Sequence, residues 1–411
     1  MRVQIGMSTQ QTLLIFLASL ALLSAVAFLL GRTKASQARD NGQHMHSQPG
    51  EYGQFAAVAV ALPALLAGGV LVVLETFGVL ELAAGLPAWV GVGAAALGMV
   101  YGLRRIEPEL RARNQVETVI RWLLIAASLV SILTTLGIVV SILFEAIRFF
   151  RLVSLWEFIT GTEWSPDAVF AGGQGQFGAV PLFAGTFMIT GIAMAVALPI
   201  GLLSAIFMSE YASPAVRTAA KPVLEVLAGI PTVVYGFFAA ITISPYVVAL
   251  AEFIGLDASY KNALAPGVVM GIMIIPIISS LSDDVISAVP NSLREGALAL
   301  GSTQAETIRH VVVPAALPGI ISAALLGVSR ALGETMIVVM AASLRPNLTA
   351  NPLEDMTTVT VRIVDALTGD QAFDSAETLS AFALGLVLFV VTLSLNLVST
   401  VLVRRFRQKY E

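Results

Sequence analysis

Nine runs of about 20 mostly apolar residues decide what this chain can fold into. A segment so long and so poor in charge satisfies its backbone only as a helix that crosses a bilayer. The runs are Thr12–Leu30, Phe55–Leu74, Ala83–Leu103, Trp122–Ile147, Leu182–Met208, Leu224–Ala251, Ala263–Ser287, Ala315–Leu344 and Leu379–Val403. Composition agrees, with 57% apolar and 12% charged residues where soluble domains carry roughly 45–50% and about 25%. An all-α integral membrane protein is expected, its long runs kinked or broken at Pro63, Pro199, Pro231, Pro245, Pro276 and Pro318. No cysteine occurs, which excludes disulfides, thiolate metal sites and cysteine nucleophiles. Of the three histidines, His44 and His46 stand in a polar linker with no ligand set around them, so neither metal nor cofactor is expected.

Positive charge orients the array. One set of alternate loops carries sixteen Lys and Arg residues, among them Arg104, Arg105, Arg111, Arg113, Arg217, Lys221, Arg294 and Arg309; the other set carries six. The richer side is predicted to be cytoplasmic, with the N-terminus outside and the C-terminus inside. The first run does not read as a cleaved signal, because its positive charges follow the apolar stretch and only Arg2 precedes it. The pattern divides near residue 115. Before it lie three spans and a polar linker, Arg32–Gln54, expected to be mobile. After it, over 116–411, come six spans with short cytoplasmic loops and two long external loops, Arg148–Pro181 and Arg345–Thr378.

Between two of the most apolar runs stands EGALALGSTQAETIRHVVVP, Glu295–Pro314. Ser292 with Glu295 fits a capping box, and so does Thr303 with Glu306. Gly301 between them can take the left-handed turn that ends a helix, and Pro314 is expected to stop the second helix. The spacing predicts helix, elbow, helix on the cytoplasmic surface. Leu293, Ala297 and Leu300 form an apolar stripe that little else in the chain could cover, which suits a groove on another protein.

That segment resembles the coupling loop of ABC-importer permeases, whose pattern is E-A-A, three residues, G, nine residues, I-x-L-P. Here Glu295, Gly296, Ala297, Gly301, Val311, Val313 and Pro314 keep the spacing, with Gly296 for alanine and valines for isoleucine and leucine. The resemblance implies a six-helix, MetI-like permease core behind about three extra transmembrane helices, docked through this loop to a separate ATPase. None of the four lysines follows a glycine, so no P-loop is present and no catalytic role falls to this chain. Gly173, Gly175 and Gly178 spell G-x-G-x-x-G, but in an external loop outside any βα unit, where they read as a turn. ATPases of this class act as dimers, so one docking loop per chain calls for a second permease subunit, a related chain or a second copy.

Four further stretches resemble phosphate-uptake permeases of the PstC type: Gly175–Thr186, Glu210–Arg217, Glu225–Phe238 and Ser329–Val338. The resemblance covers about residues 120–405 and implies an importer of inorganic phosphate in a bacterial inner membrane, served by a periplasmic phosphate-binding protein, with no nucleic acid among its partners. Arg330 and Glu334 are the candidate chemical centre. They lie mid-run and four apart, hence on one helical face. Charges at that depth pair or face a cavity, and a guanidinium suits phosphate oxygens. Either Glu334 holds Arg330 and competes with the anion for it, or the two form a structural ion pair. Thr186, Thr190, Thr232 and Tyr235, with Ser279, Ser280 and Ser282, are candidates to line a path, against the ordinary alternative of bonds to backbone or neighbouring helices. Gly229–Thr232 is predicted to break its helix, while Asp283 and Asp284 mark the end of a span. The competing functions are a permease for molybdate or sulfate and a secondary transporter that needs no ATPase.

Overall fold

A computed structural model describes residues 9–76, 85–166, 175–368 and 374–407. Among them nine helices are long and apolar enough to cross a membrane. The chain separates into two compact units, Met1–Leu136 and Gly137–Glu411.

The first unit packs α1 (Thr9–Asp40), α2 (Pro49–Thr76) and α3 (Leu86–Arg104) together. Its core is Phe16, Leu20, Ala27, Tyr52, Ala56, Val60, Ala64 and Ala95. Small residues set the spacing: a Cβ on Gly98 would run into the Ala59 carbonyl, and one on Gly102 would sit 3.0 Å from the Ala59 methyl. Close backbone approach of this kind replaces the hydrophobic drive that lipid removes. Much of the polar linker is helical. Arg32–Asp40, rich in Ala, Gln, Lys and Arg, continues α1, leaving 41–48 as the connection. Lys34 Nζ donates to the Leu103 carbonyl at the end of α3 (2.7 Å), and the His46 amide to that of Pro108 (3.1 Å). The unit boundary falls inside α4 (Ala112–Phe150), a helix of 39 residues.

The second unit begins with the end of α4 and folds its first long loop into α5 (Leu155–Thr160) and a two-residue antiparallel ribbon, β1 (Trp164–Ser165) with β2 (Gln176–Phe177). Then come α6 (Val180–Ile206), ending in a π-helical turn at Phe207–Tyr211, and α7 (Pro214–Gly229). The next span is α8 (Thr232–Phe238), a π turn at Ala239–Ile243 and α9 (Ser244–Phe253). α10 (Leu264–Ser287) leads to α11 (Asn291–Ala299), α12 (Gln304–Thr307), a π turn at Ile308–Val312 and α13 (Val313–Leu332); α14 (Met336–Ala341), α15 (Val359–Thr368) and α16 (Ala376–Arg407) complete the unit. α10 is the hub, packed on α6 and α13. Of its most apolar window 61% is buried, against at most 28% for any other span.

Two runs divide differently from their hydropathy. Leu224–Ala251 is not one helix: the chain breaks at Ile230–Pro231, so the span proper is Thr232–Phe253 and α7 is a separate amphipathic helix. Pro231 lacks the N–H that would bond the Leu227 carbonyl four residues back; the Tyr235 hydroxyl donates to that carbonyl instead, at 2.8 Å. Ala315–Leu344 divides too, because α13 ends at Leu332 and α14 starts at Met336.

The two long loops also carry more structure than expected. Phe149, Phe158, Trp164 and Phe177 stack edge to face, with centroids 5.4 to 6.3 Å apart. Arg362 of α15 lies over the Trp164 ring at 6.0 Å and pairs with Asp365 and, at 2.9 Å, with Glu377. Both loops therefore close one end of the bundle as a packed cap. Of the G-x-G-x-x-G, Gly173 lies outside the described residues, and Gly178 packs against the Gly161 backbone.

Candidate functional site

The polar segment forms the helix–elbow–helix expected, with two differences of detail. Gly301 has φ +91°, a left-handed value that other residues adopt only with strain. The Ser302 amide reaches the Ala297 carbonyl (3.2 Å) and the Gly301 amide that of Leu298 (3.0 Å), the paired bonds of a Schellman end. Thr303 and Glu306 form a complete capping box: the Thr303 hydroxyl accepts from the Glu306 amide, and the Glu306 carboxylate from the Thr303 amide at 2.9 Å. The first box does not form. The helix starts at Asn291 after an extended Pro290, so Ser292 already has helical geometry and cannot act as an N-cap. Nor does Pro314 stop the second helix. It sits in the first turn of α13, where a missing N–H is tolerated, directly after the π turn.

α11 buries none of its residues. Glu295 and Gly296 are exposed and Ala297 is half-buried, while Leu293, Leu298 and Leu300 are 46%, 49% and 90% exposed. The stripe of Leu293, Ala297 and Leu300, projecting between two spans and uncovered by its own chain, is a ready knob for another protein. Val311, Val313 and Pro314 are half-buried, and the residue between the two valines, Val312, is the fully buried one. It joins Ala205, Ile286, Val289, Ala316 and Ile320 in a cluster that roots the segment in the bundle.

In the bundle itself the expected pair is rearranged. Arg330 is on the last turn of α13, but Glu334 lies beyond the end of that helix, so the two do not share a helical face. The Glu334 carboxylate is buried and turned the other way, accepting from the Met336 and Ile337 amides (3.2 and 3.5 Å) at the start of α14. Among the described residues no ion pair includes Arg330, whose side chain is exposed on its own chain. Its depth follows from Gly327, one turn earlier, where a Cβ would meet Ile274, Ile278 and Met194 at 3.3 to 3.4 Å, near the middle of α10 and α6.

Glu334 belongs instead to a hydroxyl cluster. The Thr360 hydroxyl donates to the Glu334 carbonyl (2.9 Å) and is 3.0 Å from that of Thr358; the Val359 amide donates to the Thr186 hydroxyl (3.0 Å). Thr186 in turn donates to the Leu182 carbonyl at 2.7 Å. Thr190, one turn along, is 6% exposed and its hydroxyl has no partner among the described residues; Thr357, Ser279 and Ser282 share that condition, while Ser280 is exposed. Tyr235 is buried in the same core as Ile189, Ala193 and Ile337, and Thr232 opens α8, half-buried. The structure thus gathers Thr186 and Glu334, keeps Tyr235 at the helix break, and sends Arg330 elsewhere.

Sequence reasoning missed Thr357, Thr358 and Thr360. Their alternation with Met356, Val359 and Val361 was the available signal, hidden by its place in a long polar loop. In the sequence Asp283 reads only as the marker of a span end. It is fully buried and receives Arg217 (3.0 Å) and Lys221 (2.6 Å), which fasten α7 to α10; Asp284 is exposed.

Residues 197–408 match the family described as binding-protein-dependent transport system inner membrane component, and residues 17–81 match one described as phosphate ATP-binding cassette transporter. The probable ABC transporter permease protein YqgH of Bacillus subtilis is 34% identical over 66% of this chain and 86% of its own length. The phosphate transport system permease protein PstC 1 of Mycobacterium tuberculosis is 33% identical over 70% of this chain and 92% of its own. Among solved structures, a bacterial ABC transporter involved in import of the acidic polysaccharide alginate aligns with 71% of this chain and 99% of its own at 18% identity, with a TM-score of 0.49.

Proposed function

Because the chain belongs to the binding-protein-dependent transport system inner membrane component family, we propose that it is the transmembrane permease subunit of an ATP-binding-cassette importer for inorganic phosphate. The observation that carries the ATP-driven part is the capped segment at 291–307, with Leu293, Leu298 and Leu300 open to a partner. The phosphate part is supported by the family match at residues 17–81 and by the relatives named for phosphate transport. The segment docks on an ATPase dimer at the cytoplasmic face, with the N-terminus outside and the C-terminus inside. A second permease subunit completes the pathway, a periplasmic binding protein delivers phosphate to the opposite end, and hydrolysis stays on the partner.

In this reading Arg330 faces the second permease subunit across the path. An arginine near mid-bilayer that pairs with none of the described residues must meet a counter-charge, water or solute at a subunit boundary, and a phosphate oxyanion supplies that charge with matching geometry. Glu334 does not hold it; its role is to cap α14 and order the hydroxyl cluster behind the path. Thr190 lines the path, and Thr186, Tyr235 and Thr232 set the helices around it.

The test is phosphate uptake in vesicles holding the full complex, with and without ATP, with arsenate, molybdate and sulfate as competitors. ATP-dependent uptake blocked by arsenate alone is the expected result. Competition by molybdate or sulfate transfers the reading to another oxyanion, and uptake without any ATPase refutes it. Arg330→Ala is expected to lower uptake by roughly a hundredfold with normal membrane abundance.

A further inference from the structure

The stretch EYASPAVR, Glu210–Arg217, contributes to neither the docking face nor the hydroxyl cluster, and its first residue sits at an unusual joint. Both covalent connections of the 291–307 segment to the bundle depart from regular α-helix. On one side α10 ends at Ser287 and the chain bends through Val289–Pro290 before α11 begins. On the other a π turn, with wider and weaker hydrogen bonding than an α-helix, stands between α12 and α13. Val289 and Val312, one in each joint, pack in a single buried cluster with Ala205 of α6 and Ile286 of α10.

Glu210 and Arg294 form the polar part of that attachment. Glu210 lies in the π turn at the end of α6, where the extra residue re-aims the side chain. Its carboxylate receives the Arg294 guanidinium of α11 through Nη2 at 2.8 Å and Nε at 3.2 Å, and both side chains are largely buried, at 9% and 16% exposure. The same guanidinium donates to the Ile286 carbonyl (2.8 Å) in the last turn of α10 and to that of Val289 just beyond it. The carbonyl of Glu210 meanwhile accepts from Gln304 Nε2 of α12, at 2.8 Å. One residue of α6 is therefore bonded to both arms of the segment, and one forked cation ties α6, α10 and α11. Only arginine offers donors in that many directions at once.

We propose that Glu210 is a positioning residue for transport, locking the 291–307 segment to α6 and α10 so that movement of the segment turns both helices together. This rests on the reading of that segment as the ATPase docking loop. Glu210 contacts neither solute nor nucleotide. Its loss leaves docking and hydrolysis in place and removes the work done on the bundle.

The experiment compares Glu210→Gln and Glu210→Asp with wild type in the full complex, measuring ATPase co-purification, ATP hydrolysis and phosphate moved per ATP. Glu210→Gln is expected to keep the ATPase and its hydrolysis while phosphate per ATP falls roughly tenfold or more, and Glu210→Asp, which keeps the carboxylate, to recover part of it. Unchanged phosphate per ATP in Glu210→Gln, loss of the ATPase from the complex, or equal behaviour of Gln and Asp would overturn the proposal. A second arm needs no phosphate. Spin labels at Ala299→Cys and Ile200→Cys, added to this cysteine-free chain, report the distance between α11 and α6. A narrow distribution that broadens in Glu210→Gln supports the lock; an unchanged one refutes it. Failure of wild type to take up phosphate would sink the substrate assignment and leave this arm to decide the lock.

Discussion

Both units bury apolar side chains, and they differ in the polar ones they bury. Among the described residues, the first unit's core holds alanines, glycines, aliphatic and aromatic residues, with the Tyr52 hydroxyl satisfied by the Leu110 carbonyl at 2.9 Å. All sixteen buried polar or charged residues among those described belong to the second unit, from Thr186 to Ser380. Polar groups inside a membrane bundle are costly, and are kept where they fix a geometry or meet a polar solute. Among the described residues such groups are concentrated in the second unit.

Damage should therefore read out differently in each. The largest expected effect is at Asp283. Asp283→Ala leaves Arg217 with Ser287 and Lys221 with the exposed Asp284, and loosens α7, which buries no residue of its own. About 3 kcal/mol of stability should be lost, the low end for a broken buried pair, because both partners keep about a third of their side chains exposed. A thermal midpoint in detergent within a degree of wild type would show that α7 is held by something else. Next is Gly98→Val in the first unit, where the new side chain meets the Ala59 backbone, which cannot swing aside as a side chain would. Overpacking of this kind costs about 1–3 kcal/mol. The abundance of the chain should fall while the KM for phosphate in the surviving protein stays put. A shifted KM would break the comparison, since it would place the first unit on the path.

Thr186→Val comes third. Thr186 Oγ1 is the acceptor for the buried Val359 amide, and valine leaves that N–H without a partner, at about 1–3 kcal/mol. The thermal midpoint is the measurement, and an unchanged value would mean that the amide finds another acceptor.

How much of this was legible beforehand follows from which interactions are local. Gly301, the Thr303–Glu306 box and the break at Pro231 were all readable, because each is a relation between residues fewer than five apart. Nine apolar runs were readable because lipid admits so few backbone solutions. The Arg330–Glu334 face was misread: helical spacing was assumed to continue through Gly333, whereas the chain leaves the helix at Leu332 and Glu334 becomes a cap. Glu210 with Arg294, Arg217 with Asp283 and Thr186 with Val359 were invisible for another reason. Their partners lie 84, 66 and 173 residues apart, and no spacing rule joins them.

The smallest effect on stability is expected at Thr190, and it separates scaffold from path most cleanly. Threonine in a helix ordinarily donates to the carbonyl four residues back, as Thr186 does to Leu182. Thr190 is 6% exposed and its hydroxyl has no such partner among the described residues. A buried hydroxyl left unbonded costs stability, and a valine of the same shape removes that cost. Thr190→Val should therefore leave the thermal midpoint unchanged or slightly raised, in contrast to Thr186→Val one turn away. If Thr190 lines the phosphate path, uptake should fall at the same time, by roughly tenfold for one lost hydrogen bond to a charged group. Stability and transport would then move in opposite directions at adjacent turns of one helix, which no purely structural role produces. Full uptake in Thr190→Val would place the path on another face of α6.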